Sequence, residues 1–146
     1  MRVILFQPQF AELVRAGTKT QTIRKTARCT PGDTLSLRRW TGKPYRTKQE
    51  TLRTVTCTAV RNVRIGEPWP DGLVIDGVEM PTRDRASVAR QDGFRCMTEM
   101  LDWFDEVHGL PFEGVLIEWS NAGGQIPPAS GGNLDRLVRS SESKGE

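Results

Sequence analysis

Cations with aromatic neighbours are the residues through which this chain could do chemistry. Arg38, Arg39, Trp40, Lys43, Tyr45, Arg46 and Lys48 fall within eleven residues. Guanidinium and ammonium groups bind phosphate oxygens, and an indole or phenol ring offers a face on which a base can stack. Arg24, Lys25 and Arg28 form a second basic group. The charge is lopsided along the chain: residues 1–65 hold 14 Lys/Arg against 3 Asp/Glu, and residues 66–146 hold 7 against 15. A basic surface of this kind points to RNA or a nucleotide as partner. The alternative is that the two halves pack together and neutralise each other. Other chemistries are excluded by what is scarce. A single histidine, His108, argues against a histidine triad and a multi-histidine metal centre. Cys29, Cys57 and Cys96 are odd in number and widely spaced, so they form neither a disulfide framework nor a metal-binding pair. They read as buried, small apolar residues. No metal and no cofactor is expected.

The elements that must position these residues follow from pattern. With 146 residues and 36% hydrophobic content, the chain has about one domain's worth of core. Residues 2–6 read as a short buried strand, and residues 7–16 as a helix closed by Gly17. Residues 18–24 are β-branched and extended. Thr30-Pro31-Gly32-Asp33 is a turn, and residues 34–40 alternate as a strand. Residues 43–49 form a loop, and residues 53–65 a long strand. Asp76-Gly77 marks a hairpin, and residues 84–91 carry one or two helical turns. A helix spans 95–107, with Met97, Met100, Leu101 and Phe104 as its core stripe and His108 at its end. Residues 112–119 close the domain as a strand. Residues 120–146 are rich in Gly, Ser, Pro and Asn and read as a flexible tail, with a transient turn at 134–138. The order predicts an α+β domain over 1–119: a small β-barrel with two flanking helices. No apolar run is long enough to span a membrane, and the N-terminus lacks a secretory signal pattern. A cytoplasmic monomer is the expectation.

Several of these pieces, in order, carry a resemblance. Phe6-x-Pro8-x-Phe10, a short helix, and then Gly17-x-Lys19-x-x-Thr22-Ile23-Arg24 resemble the opening signature of the ASCH domain family, within the PUA-like superfamily of small β-barrels. Gly32-Asp33, Asp92-Gly93-Phe94, Trp103-Phe104, Gly109 and the closing Val115–Trp119 strand are similar to the family's later elements. The resemblance spans about residues 3–119. It implies a pseudo-barrel with a basic cleft beside the first helix that meets RNA or a nucleotide. Some small members are amidohydrolases that remove the acyl group of N4-acetylcytidine with a Lys, a Thr three residues on, and a Glu before the second helix. Carried onto this chain, the catalytic residues are Lys19, Thr22 and Asp92, with Asp one methylene shorter than that Glu.

The chemistry implied is amide hydrolysis, which needs a nucleophile, a base and a site for the oxyanion. Thr22 offers the hydroxyl. Lys19 is a base only if its pKa falls well below about 10.4, as burial or neighbouring cations arrange. Asp92 orients Lys19, holds the leaving amine or binds the base edge. Its attraction raises the lysine's pKa, against the base role. Residues three apart in a flat strand face opposite ways, so Lys19 and Thr22 meet only if the segment bends after Gly17. Each residue also has a plainer reading: Lys19 a solvated strand-edge lysine, Asp92 a cap of the following helix, Arg24 a structural ion pair. Two other functions stay open, a non-catalytic RNA-binding module and a metal-independent ribonuclease using the same cleft.

Overall fold

The computed structural model describes residues 1–121 and is mixed α+β, with seven strands in one sheet and three helices. Strand β1 (Arg2–Leu5) leads through Pro8, placed in the first helical turn where its missing N–H costs nothing, into α1 (Pro8–Ala16). Phe10, Ala11 and Val14 are the buried face of α1. Gly17 ends it at φ 85°, and the N–H groups of Thr18 and Lys19 both return to Leu13 O. Glycine takes that left-handed conformation without the Cβ penalty. The reversal feeds β2 (Gln21–Arg24).

Strand β3 (Thr34–Trp40) pairs antiparallel with the 17-residue β4 (Gln49–Ile65), and a turn closed by Arg46 N–H on Lys43 O lies between them. A register shift near Cys57 lets β4 serve β3 with its first half and β7 (Phe112–Ser120) with its second. The hairpin β5 (Leu73–Ile75) and β6 (Val78–Glu79) turns at Asp76-Gly77 and extends the sheet from β4. Helices α2 (Thr82–Gln91) and α3 (Met97–Val107) lie between that hairpin and β7 in the chain.

The ladders run β2–β7–β4–β3–β1, and no ladder joins β1 to β2. The sheet is therefore not closed by backbone pairing. One buried cluster gathers α1, α3 and the sheet. It includes Val14, Leu35, Leu37, Val55, Ile65, Met100, Phe104 and Leu116. Among the described residues, no helix is long and apolar enough to cross a membrane.

Four expectations need correction. Strand β1 is not buried: Arg2 and Val3 are exposed and Ile4 and Leu5 half-buried, because β1 pairs only with β3. There are three helices rather than two. Helix α2 makes ten residues from a polar sequence because Val88 and Ala89 bury one side and Asp84 sits favourably in its first turn. Strand β4 begins at Gln49, not Arg53, because the β3 register recruits residues 49–52. Cys96 is exposed beside α3, whereas Cys29 and Cys57 are buried as expected. The expected tail lies outside the described residues beyond Asn121, and β7 itself continues through Ser120.

Candidate functional site

Lys19, Thr22 and Asp92 line one cavity of about 210 Å³, with Leu5, Phe6, Phe10, Arg24, Lys25, Trp103 and His108 among its other walls. The α1 reversal explains how two residues three apart share it. Lys19 belongs to the helix-capping turn and Thr22 to β2, so the flat-strand geometry does not apply between them. Lys19 is 2% exposed and Asp92 3%. The Lys19 Nζ donates to the backbone carbonyl of Asp92 and lies 3.4 Å from its Oδ1. It also stands 4.8 Å from the centre of the Phe10 ring. Lys19 is thus not a solvated lysine.

Asp92 ends α2 and its N–H bonds to Val88 O, so it caps no later helix; Cys96 takes that position before α3. A carboxylate at a helix C-terminus faces the negative end of the helix dipole. Its compensation is Lys19, together with Gln21 Nε2, which donates to Asp92 Oδ1 at 3.4 Å.

Burial dominates the electrostatics. It holds the Lys19 pKa below the ordinary lysine value, the Asp92 charge pulls the other way, and Arg24 adds to the lowering. Burial pushes Asp92 above the usual carboxylate range, opposed by Lys19, Gln21 and Arg24. Burial thus works against the charged form of both partners, and each charge favours the other. Arg24 Nε donates to Thr22 Oγ1 at 3.0 Å, and its Nη2 donates to Leu5 O at 2.9 Å. The same guanidinium lies 5.0 Å from the Phe6 ring centre. Thr22 Oγ1 thus accepts a charged hydrogen bond, and no hydrogen bond uses its own hydrogen among the described residues.

The structure brings Arg24 and Lys25 to the same cavity but not the rest of the basic set. Arg28 lines a neighbouring cavity. Arg39 is paired with Glu50 at 2.8 Å, and Arg38 donates to Ser36 and Gln49. Trp40 and Tyr45 pack on each other at 5.0 Å beside the β3–β4 turn, where Lys43 is exposed. Arg38, Arg39, Trp40, Lys43 and Tyr45 line neither cavity. Part of the charge asymmetry is also neutralised between the two halves, by Lys19 with Asp92 and by Arg61 with Glu118 and Asp76.

Two contributors escaped the sequence reading. Gln21 holds Asp92 from inside β2, and nothing in its type marks it among the neighbouring threonines. His108 sits at the cavity with its ring 4.9 Å from that of Phe112 and 5.7 Å from that of Trp103. Partial burial first, and the Lys25 charge second, hold its pKa below the usual histidine value. Its spacing after Trp103-Phe104 was the available signal. Among the described residues, no group of His, Cys, Asp and Glu could hold a metal ion.

The arrangement is chemically an amine of lowered basicity, a hydroxyl that accepts from Arg24, and two further cations, Arg24 and Lys25, in the lining of an aromatic-walled cavity. No family model, no curated protein and no solved structure matches the chain.

Proposed function

We propose that this chain is an ASCH-type, PUA-like domain whose cavity binds a modified nucleoside and hydrolyses the N4-acyl amide of N4-acetylcytidine without a metal. The observation that carries the reading is the burial of Lys19 against Asp92 in the cavity that also holds the Thr22 hydroxyl. A pseudo-barrel is supported by the Arg24 bond to Leu5 O, which spans the one break in the path from β1 to β2. A flat heterocycle suits walls built from Phe6, Phe10 and Trp103.

In this reading neutral Lys19 takes the proton of the Thr22 hydroxyl. Thr22 Oγ1 bonds to the acyl carbon, and the carbonyl electron pair moves onto oxygen. Arg24 and Lys25 supply positive charge for that oxygen. Collapse breaks the bond from the acyl carbon to N4, and the Lys19 ammonium returns its proton to the leaving nitrogen. Cytidine departs and Thr22 is left acylated. Water then gives a proton to Lys19 as its oxygen bonds to the acyl carbon. Acetic acid leaves as the proton returns to Thr22 Oγ1. Asp92 is a positioning residue: its carbonyl and carboxylate fix the Lys19 amine.

The test is turnover of N4-acetylcytidine to cytidine and acetate, followed by chromatography with and without chelator. Lys19→Ala and Thr22→Val are expected to lower kcat by about 10²–10⁴-fold, as loss of a general base or nucleophile does. Chelator is expected to leave the rate unchanged. Lys19→Ala strands a buried carboxylate at a cost of about 3–5 kcal/mol, so Thr22→Val, which keeps shape and the ion pair, is the control for folding. No turnover by the folded protein would overturn the reaction.

A further inference from the structure

A second cavity of about 380 Å³ adjoins the first and shares Leu5, Arg24 and Lys25 with it. Its charged lining is Arg2, Arg24, Lys25 and Arg28, and no carboxylate lines it. Among the described residues none of these four is in an ion pair, whereas Arg15, Arg39 and Arg61 all have acidic partners. Four like charges around one concavity repel one another unless an anion joins them. Strand β1 runs along this cavity with a ladder to β3 on one side only, and an open strand edge presents backbone N–H groups to a ligand. The first cavity is smaller than the roughly 300–1,000 Å³ typical of small-molecule sites, so it accommodates a base better than a whole nucleotide.

We propose that the second cavity is a phosphate subsite formed by Arg2, Lys25 and Arg28. The substrate is then a phosphorylated nucleoside unit, with its base in the first cavity, rather than a free nucleoside. Arg24, common to both walls, stands between base and phosphate. The proposal rests on the nucleoside reading for the first cavity, and its test separates the two. The phosphate has two possible sources, a free nucleotide or an RNA strand, and guanidinium groups bind the oxygens of either.

The experiment compares kcat/KM for N4-acetylcytidine, its monophosphate and a short RNA carrying the same base, at low and high salt. Phosphorylated substrates are expected to be favoured by about 10-fold or more, and the preference to shrink as salt rises. Arg2→Ala with Arg28→Ala is expected to abolish that preference, while Arg83→Ala with Arg90→Ala, two exposed positions on α2 and the same loss of charge, keeps it. Equal kcat/KM for nucleoside and monophosphate overturns the subsite and leaves the reaction standing. Calorimetric binding of cytidine against cytidine monophosphate reads the subsite with no turnover. A phosphate preference there, lost in the Arg2→Ala, Arg28→Ala variant, supports the subsite even if hydrolysis fails. Tighter binding of the RNA than of the monophosphate assigns the phosphate to a strand, and equal binding assigns it to a free nucleotide.

Discussion

A lysine amine shut away from water is a different base from one in solution. Lys19 keeps its charge only as far as Asp92 compensates its burial, and that balance is measurable. A general base works in its neutral form, so the rate rises with pH through the Lys19 pKa. Burial places that limb below the ordinary lysine value of 10.5. Asp92 raises the Lys19 pKa, so Asp92→Asn removes an opposing effect and moves the limb to still lower pH. A pH profile of kcat/KM in the two proteins checks this, and a limb moving upward would rule out Lys19 as the base. The shift is distinct from a general loss of structure, which lowers the rate at every pH alike.

At the scale of elements, the site depends on how closely β2 and β7 approach. Gly114 in β7 lies where an added Cβ would stand 2.3 Å from the backbone carbonyl of Arg24 and 2.8 Å from the Phe112 ring. Neither neighbour is the free end of a flexible side chain, so Gly114→Ala must push β7 away from β2, the strand that carries Thr22 and Arg24. Its expected cost is at the upper end of about 1–3 kcal/mol for overpacking, with lost turnover, read from urea unfolding and activity together. Gly32→Ala, with nothing within 4 Å of its added Cβ but a left-handed φ of 98°, costs backbone strain without overpacking and is the comparison that keeps turnover.

The same scale explains what the sequence made legible. Strand β3 is read at its true ends because Leu35 and Leu37 alternate with polar neighbours and a Pro-Gly turn precedes them. The Gly17 stop and the bend after it follow from residue type. The length of α2 does not, since only Val88 and Ala89 of its ten residues are buried. Lys19, Thr22 and Asp92 are singled out only through the family resemblance of their motifs, and the burial that changes their chemistry is written in no local pattern. Gln21 and Asp92 lie 71 positions apart, and no local pattern joins them. The basic run at 38–48 looked like a binding surface, yet Glu50 and Gln49, just beyond it, engage Arg39 and Arg38 across the β3–β4 register.

Over the whole molecule, the Arg24 side chain reaches from β2 to β1, between which no ladder runs. Arg24→Met keeps much of the bulk over Phe6 while removing the donors to Leu5 and Thr22. Its expected cost is about 1.5–3 kcal/mol, the worth of charged hydrogen bonds, measured by urea unfolding. A loss near zero would mean that β1 is held by β3 alone. The guanidinium has five N–H donors, and the hydrogen bonds to Thr22 and Leu5 engage two nitrogens. The remainder can reach a ligand without releasing either strand. Ligand contacts on Arg24 therefore tighten a fastening already in place, and β1 breathes less when the cleft is full. Amide protons of β1 exchange with solvent more slowly in the occupied protein, so the outermost strand becomes a gauge of events inside.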